Sequence, residues 1–124
     1  MKKKYFHSDD YNFEKEVKSL LLFHKIVNAK KIGDRNAELT LDNGTILEIE
    51  GNEGCGGCGN GWYYIDALNT CDNVITNVAC TCDCNEVYNI FVFVDDQRIN
   101  CLEVSGYDNG YYGTGYTLCA TIKD

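Results

Sequence analysis

The stretch from Ala37 to Glu50 constrains the fold more than any other. Ala37-Glu38-Leu39-Thr40-Leu41 and Thr45-Ile46-Leu47-Glu48-Ile49-Glu50 alternate in polarity on either side of Asp42-Asn43-Gly44. Alternation with period two is the pattern of a strand buried on one face. Asn-Gly between two such runs is a strong hairpin signal, because a type I′ turn needs positive φ at both central residues. Leu39 and Leu41 share one face of the first strand, and Thr45, Leu47 and Ile49 share one face of the second. The hairpin needs other elements to cover that face, and the rest of the chain supplies candidates.

Upstream, Phe13, Val17, Leu20 and Leu21 recur with helical spacing between Tyr11 and Leu22, which predicts a short amphipathic helix. Asp9 or Asp10 is placed to cap it. Lys25 to Ile32 reads as a strand. Downstream, short strands are expected at Trp62 to Ile65, Val74 to Thr81, Val87 to Val94, Arg98 to Val104 and Tyr116 to Ile122. The run Ile90-Phe91-Val92-Phe93-Val94 is continuously apolar, as in a central strand covered on both faces. The expected fold is α+β: a short N-terminal helix followed by a mostly antiparallel sheet of about seven or eight strands. A chain of 124 residues suits one domain. Its organisation is a helix and strand within 1–33 and a β region over 37–122.

Two glycine-rich tracts interrupt the strands. Six of the eleven residues from Gly51 to Gly61 are glycine, so no regular element is expected there. The second tract runs from Gly106 to Gly115. Neither is followed by Gly-Lys-Ser/Thr, and neither opens a clear helix, so neither reads as a phosphate-binding loop.

The first tract carries Cys55-Gly56-Gly57-Cys58, two of eight cysteines; the others are Cys71, Cys80, Cys82, Cys84, Cys101 and Cys119. The basic start Met1-Lys2-Lys3-Lys4 is followed by Ser8-Asp9-Asp10 rather than an apolar h-region, and the longest early apolar run is Leu20 to Phe23. No secretory leader or membrane span is expected, which implies a soluble cytoplasmic chain. In a reducing compartment eight cysteines point to metal or free thiols before disulfides. A CxxC knuckle directs two thiolates at one ion, and zinc takes four ligands tetrahedrally. Cys55 and Cys58 are the expected first pair and Cys71 a third ligand. Cys80, Cys82 and Cys84 alternate on one strand face and any could be the fourth; Cys82 is chosen. A structural zinc is the cofactor expected. Cys101 and Cys119 read as small core residues. A redox CxxC would open a helix, and this one opens into glycine and a strand.

The 11 Lys and Arg against 19 Asp and Glu leave a net charge of −8. That balance disfavours direct nucleic-acid binding and suits an acidic surface that meets a basic partner. The two histidines, His7 and His24, form no nucleophile–base arrangement with nearby residues, so a non-enzymatic role is expected. Tyrosines among glycine and asparagine make adaptable binding surfaces. Trp62, Tyr63, Tyr111 and Tyr112, with the turn carboxylates Asp95 and Asp96, are the expected partner-binding set.

Three segments carry a resemblance: Gly54-Cys55-Gly56-Gly57-Cys58-Gly59-Asn60-Gly61-Trp62-Tyr63, Asn73-Val74-Ile75-Thr76-Asn77-Val78, and Asp108-Asn109-Gly110-Tyr111-Tyr112-Gly113-Thr114-Gly115-Tyr116. With the hairpin, and with Arg98-Ile99-Asn100, they resemble a family of small uncharacterised bacteriophage and prophage proteins over Ala37 to Ile122. Cys55, Cys58 and Cys71 match that pattern, whereas Cys80, Cys82 and Cys84 are additions here. The resemblance implies a phage-encoded protein acting in a bacterial cytoplasm. The function expected is a non-enzymatic interaction protein that inhibits a host factor, such as a CRISPR-type defence nuclease, without contacting nucleic acid or membrane. The alternative is a zinc-stabilised module that binds a metal or small ligand.

Overall fold

The structure, a computed structural model, describes residues 2–57, 61–107 and 113–123. It is an α+β fold with one helix and, among the described residues, nine strands in two antiparallel sheets. The strands are β1 (Lys2–His7), β2 (Ile26–Lys31), β3 (Asn36–Leu41), β4 (Ile46–Gly51), β5 (Tyr63–Leu68), β6 (Asn77–Asp83), β7 (Val87–Val94), β8 (Gln97–Gly106) and β9 (Tyr116–Ile122). The helix α1 is Phe13–Leu21. The five-stranded sheet has the order β1-β9-β4-β3-β2 and the four-stranded sheet β5-β8-β7-β6. β1 was not expected, because Lys2, Lys3 and Lys4 read as a polar terminus. It pairs with β9, Tyr5 opposite Cys119, a partner more than a hundred residues away.

The inner faces of both sheets share one buried cluster. The five-stranded sheet contributes Leu39, Leu41, Leu47, Ile49 and Leu118; the other contributes Tyr63, Ile65, Val92, Leu102 and Val104. Phe13, Val17 and Leu21 of α1 complete it. Each large apolar side chain so buried contributes about 1.5–3 kcal/mol. The helix packs against β6, where the Glu14 carboxylate accepts the Cys80 backbone N–H at 2.8 Å. An acceptor is thereby given to an amide on the open edge of that sheet.

Several local expectations are corrected. Asp9 and Asp10 do not cap α1. Its N-cap is Asn12, without a side-chain bond; Asp10 accepts the His7 N–H and Asp9 the Tyr88 hydroxyl. The Asn43-Gly44 hairpin forms, but only Gly44 has positive φ. Gly44 N–H reaches Leu41 O at 3.0 Å and Leu41 N–H reaches Thr45 O at 2.9 Å. That is the three-residue hairpin closed by a glycine bulge, not the two-residue type I′ form. β6 starts at Asn77 rather than Val74. β7 is an interior strand, yet only its Tyr88, Ile90 and Val92 face is buried; Phe91 and Phe93 are half-covered. The register of β8 slips opposite Ile90 and Phe91, so Cys101 and Leu102 are both buried where alternation would separate them.

The turn from β6 to β7 carries two adjacent non-glycine residues of positive φ, Cys84 at 52° and Asn85 at 57°. Asparagine tolerates this region; cysteine does not gain from it. Cys84 is exposed and its side chain is outside the core. Cys84→Gly is therefore expected to stabilise the fold by about 0.5–1 kcal/mol, read as a higher urea midpoint at unchanged m-value.

Candidate functional site

The outer face of the five-stranded sheet is set by register. Tyr5 lies opposite Cys119, Cys119 opposite Glu48, Glu48 opposite Glu38, and Glu38 opposite Lys30. One row of side chains thus crosses all five strands. Glu50 lies two residues along β4 on the same face, opposite Thr117. Two carboxylates facing each other across a strand pair cost stability. Tyr5 is 72% exposed, and Glu48 and Glu50 are exposed as well. A shallow depression of about 340 Å³ opens there, lined in part by Lys3, Tyr5, Glu48, Glu50, Thr117 and Cys119. The two edge strands are basic, with Lys2, Lys3 and Lys4 on β1 and Lys30 and Lys31 on β2. Edge lysines oppose strand-to-strand aggregation and leave the acidic centre as the face available to a partner.

A second concave region lies where the N-terminal end of α1 meets β6 and β7. This cleft, of about 260 Å³, is lined by Asp10, Tyr11 and Glu14 on one side and by Cys80, Cys82 and Tyr88 on the other. Beneath it, Phe13, Tyr116, Tyr88 and Tyr63 form a chain of edge-to-face rings with centroids 5.6–6.0 Å apart, the arrangement that aromatic quadrupoles favour. Tyr88 donates its hydroxyl to Asp9 at 2.7 Å, and Thr114 donates to the other oxygen of that carboxylate. Burial, then the nearby Glu14 carboxylate, pushes the Cys80 thiol up from 9.0 to about 12. Burial likewise raises Tyr88 and Tyr116. Cys80 is a poor nucleophile at neutral pH, since the thiolate is the reactive form.

The expected site residues are dispersed. Cys58, Tyr111 and Tyr112 lie outside the described residues. Cys55 is in the loop after β4, where its carbonyl accepts the Trp62 indole N–H at 3.3 Å. Cys71 is buried beside β2, bridged to Ile26, with its thiol directed at the Asn73 carbonyl at 3.3 Å. Cys82 is exposed on β6 and its thiol faces Asn85 Oδ1 at 3.6 Å. Among the described residues no three Cys, His, Asp or Glu side chains converge as a metal-holding group. Cys101 is fully buried as expected, whereas Cys119 is only half-buried on the outer sheet face. Tyr63 is corrected from the partner-binding set: its side chain is wholly buried, with the hydroxyl donating to Asn85 O at 2.5 Å. Trp62 is half-buried under the Arg35 guanidinium, 4.9 Å from the ring. Asp95 and Asp96 are exposed in the β7–β8 turn. Sequence reasoning missed the facing Glu38 and Glu48 pair because a two-residue Asn43-Gly44 turn sets a register one residue away from the observed one, and it missed the α1 cleft because that exists only once α1 and β6 meet across a long separation.

No described helix is long and apolar enough to cross a membrane. Fold and surfaces together define a small two-sheet α+β domain with an acidic open face. The chain belongs to the family of a domain of unknown function, DUF7448, whose family model matches residues 19–118. No curated protein and no solved structure matches it.

Proposed function

We propose that this chain is a protein-binding module whose acidic sheet face docks on a basic surface of a partner. The observation that carries this reading is the direct opposition of Glu38 and Glu48 on an open sheet face. The pair lowers stability where threonine or lysine at Glu48 would not, a cost that Lys30 opposite Glu38 offsets in part, and an oppositely charged partner turns the remainder into affinity and faster encounter. The net charge of −8 and the exposed Tyr5 beside the pair favour the same assignment. Together with the phage-type resemblance, the basic partner is narrowed to a host factor that itself handles nucleic acid, such as a defence nuclease, inhibited by occupation of its basic channel. The setting is then a bacterial cytoplasm.

The test is a single substitution with opposite expected effects on two readouts. Glu48→Lys places a cation opposite Glu38 and should raise stability by about 0.2–1 kcal/mol. The same variant should weaken binding to the partner, captured from bacterial lysate with the wild-type chain, by at least about tenfold. Wild-type binding should also weaken between 50 and 300 mM salt, as screening requires. Partner binding unchanged by Glu48→Lys would overturn the assignment.

A further inference from the structure

We infer that the cleft between α1 and β6–β7 is a binding site for one alkyl cation of the lysine or arginine side-chain type. It is separate from the acidic sheet face. At about 260 Å³ it falls below the roughly 300–1,000 Å³ of pockets that take drug-sized molecules, so it suits one side chain. Its walls combine the two features such a side chain needs. Phe13, Tyr88 and Tyr116 supply an aromatic floor for an alkyl stem, and Asp10 and Glu14 supply carboxylates for a cationic head. Tyr11 stands at the rim with its ring fully exposed, placed to cover the head in a cation–π contact. The described lining residues include no Lys, Arg or His; Lys18, one turn along α1 from Glu14, acts on the Cys80 thiol from outside the lining. The only formal charges in the described lining are the two carboxylates, beside hydroxyls, thiols and the Asn89 amide, which disfavours a phosphate or carboxylate ligand on charge. Glu14 already accepts the Cys80 N–H through Oε2; that bond fixes its carboxylate at the cleft wall and leaves Oε1 for a ligand.

The test is a chemical-shift titration of the 15N-labelled chain with three capped amino acids: Nα-acetyl-arginine-N-methylamide, the lysine equivalent and the norleucine equivalent. Norleucine keeps the stem and removes the charge. The two cationic probes should shift the amides of Cys80, Thr81 and Cys82 with Kd on the order of 1–10 mM, and norleucine should bind at least about tenfold more weakly. Glu14→Gln keeps an acceptor for the Cys80 amide and should weaken the cationic probes by about tenfold. Tyr11→Ala, at a fully exposed position, should weaken them about threefold. Putrescine distinguishes the source of the cation: weaker binding than the capped residues assigns the site to a protein side chain, and tighter binding assigns it to a free diamine. Glu48→Lys should leave every one of these titrations unchanged, so the cleft and the sheet face stand or fall separately. Equal binding of norleucine, or no shift at β6 with any probe, would overturn the inference.

Discussion

Replacing Gly106 with alanine is expected to cost at least about 3 kcal/mol. A Cβ at this position would lie 2.4 Å from the Trp62 carbonyl oxygen and 2.5 Å from Tyr63 Cγ. Neither neighbour can retreat. The oxygen belongs to backbone, and the ring is wholly buried with its hydroxyl tied to Asn85. Overpacking of a tight core commonly costs about 1–3 kcal/mol, and contact with backbone moves the expectation to the top of that range or beyond. Gly51→Ala meets the same segment from the other sheet, with a Cβ 2.2 Å from the Tyr63 carbonyl oxygen, and should cost as much. Gly33→Ala is the control. Nothing lies within 4 Å of its Cβ position, so it should be neutral or stabilising by up to about 1 kcal/mol. Urea unfolding of the three variants checks the set; equal midpoints for Gly106→Ala and Gly33→Ala would show that the Trp62–Tyr63 segment is not held tightly against β8.

Stability is expected to collapse at alkaline pH. Burial raises the Cys80 thiol to about 12 and raises Cys101 further, with the neighbouring Cys80 and Cys71 thiols adding to the effect on Cys101. Burial also raises Tyr116 well above 10.0. Each of these groups is neutral when protonated. The unfolded chain releases their protons near 9.0 for cysteine and 10.0 for tyrosine, whereas the fold retains them. Above about pH 9 the folded state therefore binds more protons, and stability falls as pH rises. Each fully retained proton contributes a slope of about 1.4 kcal/mol per pH unit. While both protons are retained, Cys101 and Tyr116 together give nearly 3 kcal/mol per unit above pH 10, a steep loss against the ~5–15 kcal/mol of an ordinary domain. Urea midpoints at pH 7, 9, 10 and 11 measure this. Cys101→Ala should lower stability at pH 7 yet flatten the decline above pH 9 by about 1.4 kcal/mol per unit. An unchanged slope in that variant would place the alkaline transition elsewhere.

Much of the fold was legible because its signals are local. The apolar spacing of Phe13, Val17 and Leu21 marks α1, and those three residues form its buried face. Alternation around Asn43-Gly44 marks the β3–β4 hairpin, whose inward residues are the ones expected. Where the reading failed, a tertiary partner decided. Lys2 to His7 has little strand character of its own and becomes β1 by pairing with β9. Cys101 is inside as expected, but Leu102 is buried beside it, against alternation, because a bulge absorbs a register mismatch between β7 and β8. Tyr63 reads in sequence as a strand aromatic offered to a partner, yet two glycines from distant strands close over it.

The candidate surfaces divide the same way. Composition alone determined an acidic chain with enough apolar residues for one α+β domain, since net charge and hydrophobic periodicity are properties of the residues themselves. Strand register decided that Glu38 and Glu48 face each other while the lysines go to the sheet edges. The docking of α1 on β6 decided that Glu14, Tyr88 and Tyr116 line one cleft. The first follows from the three-residue turn that closes the β3–β4 hairpin and fixes its register; the second depends on residues more than sixty positions apart, brought together by burial of the shared core rather than by any local preference of the chain.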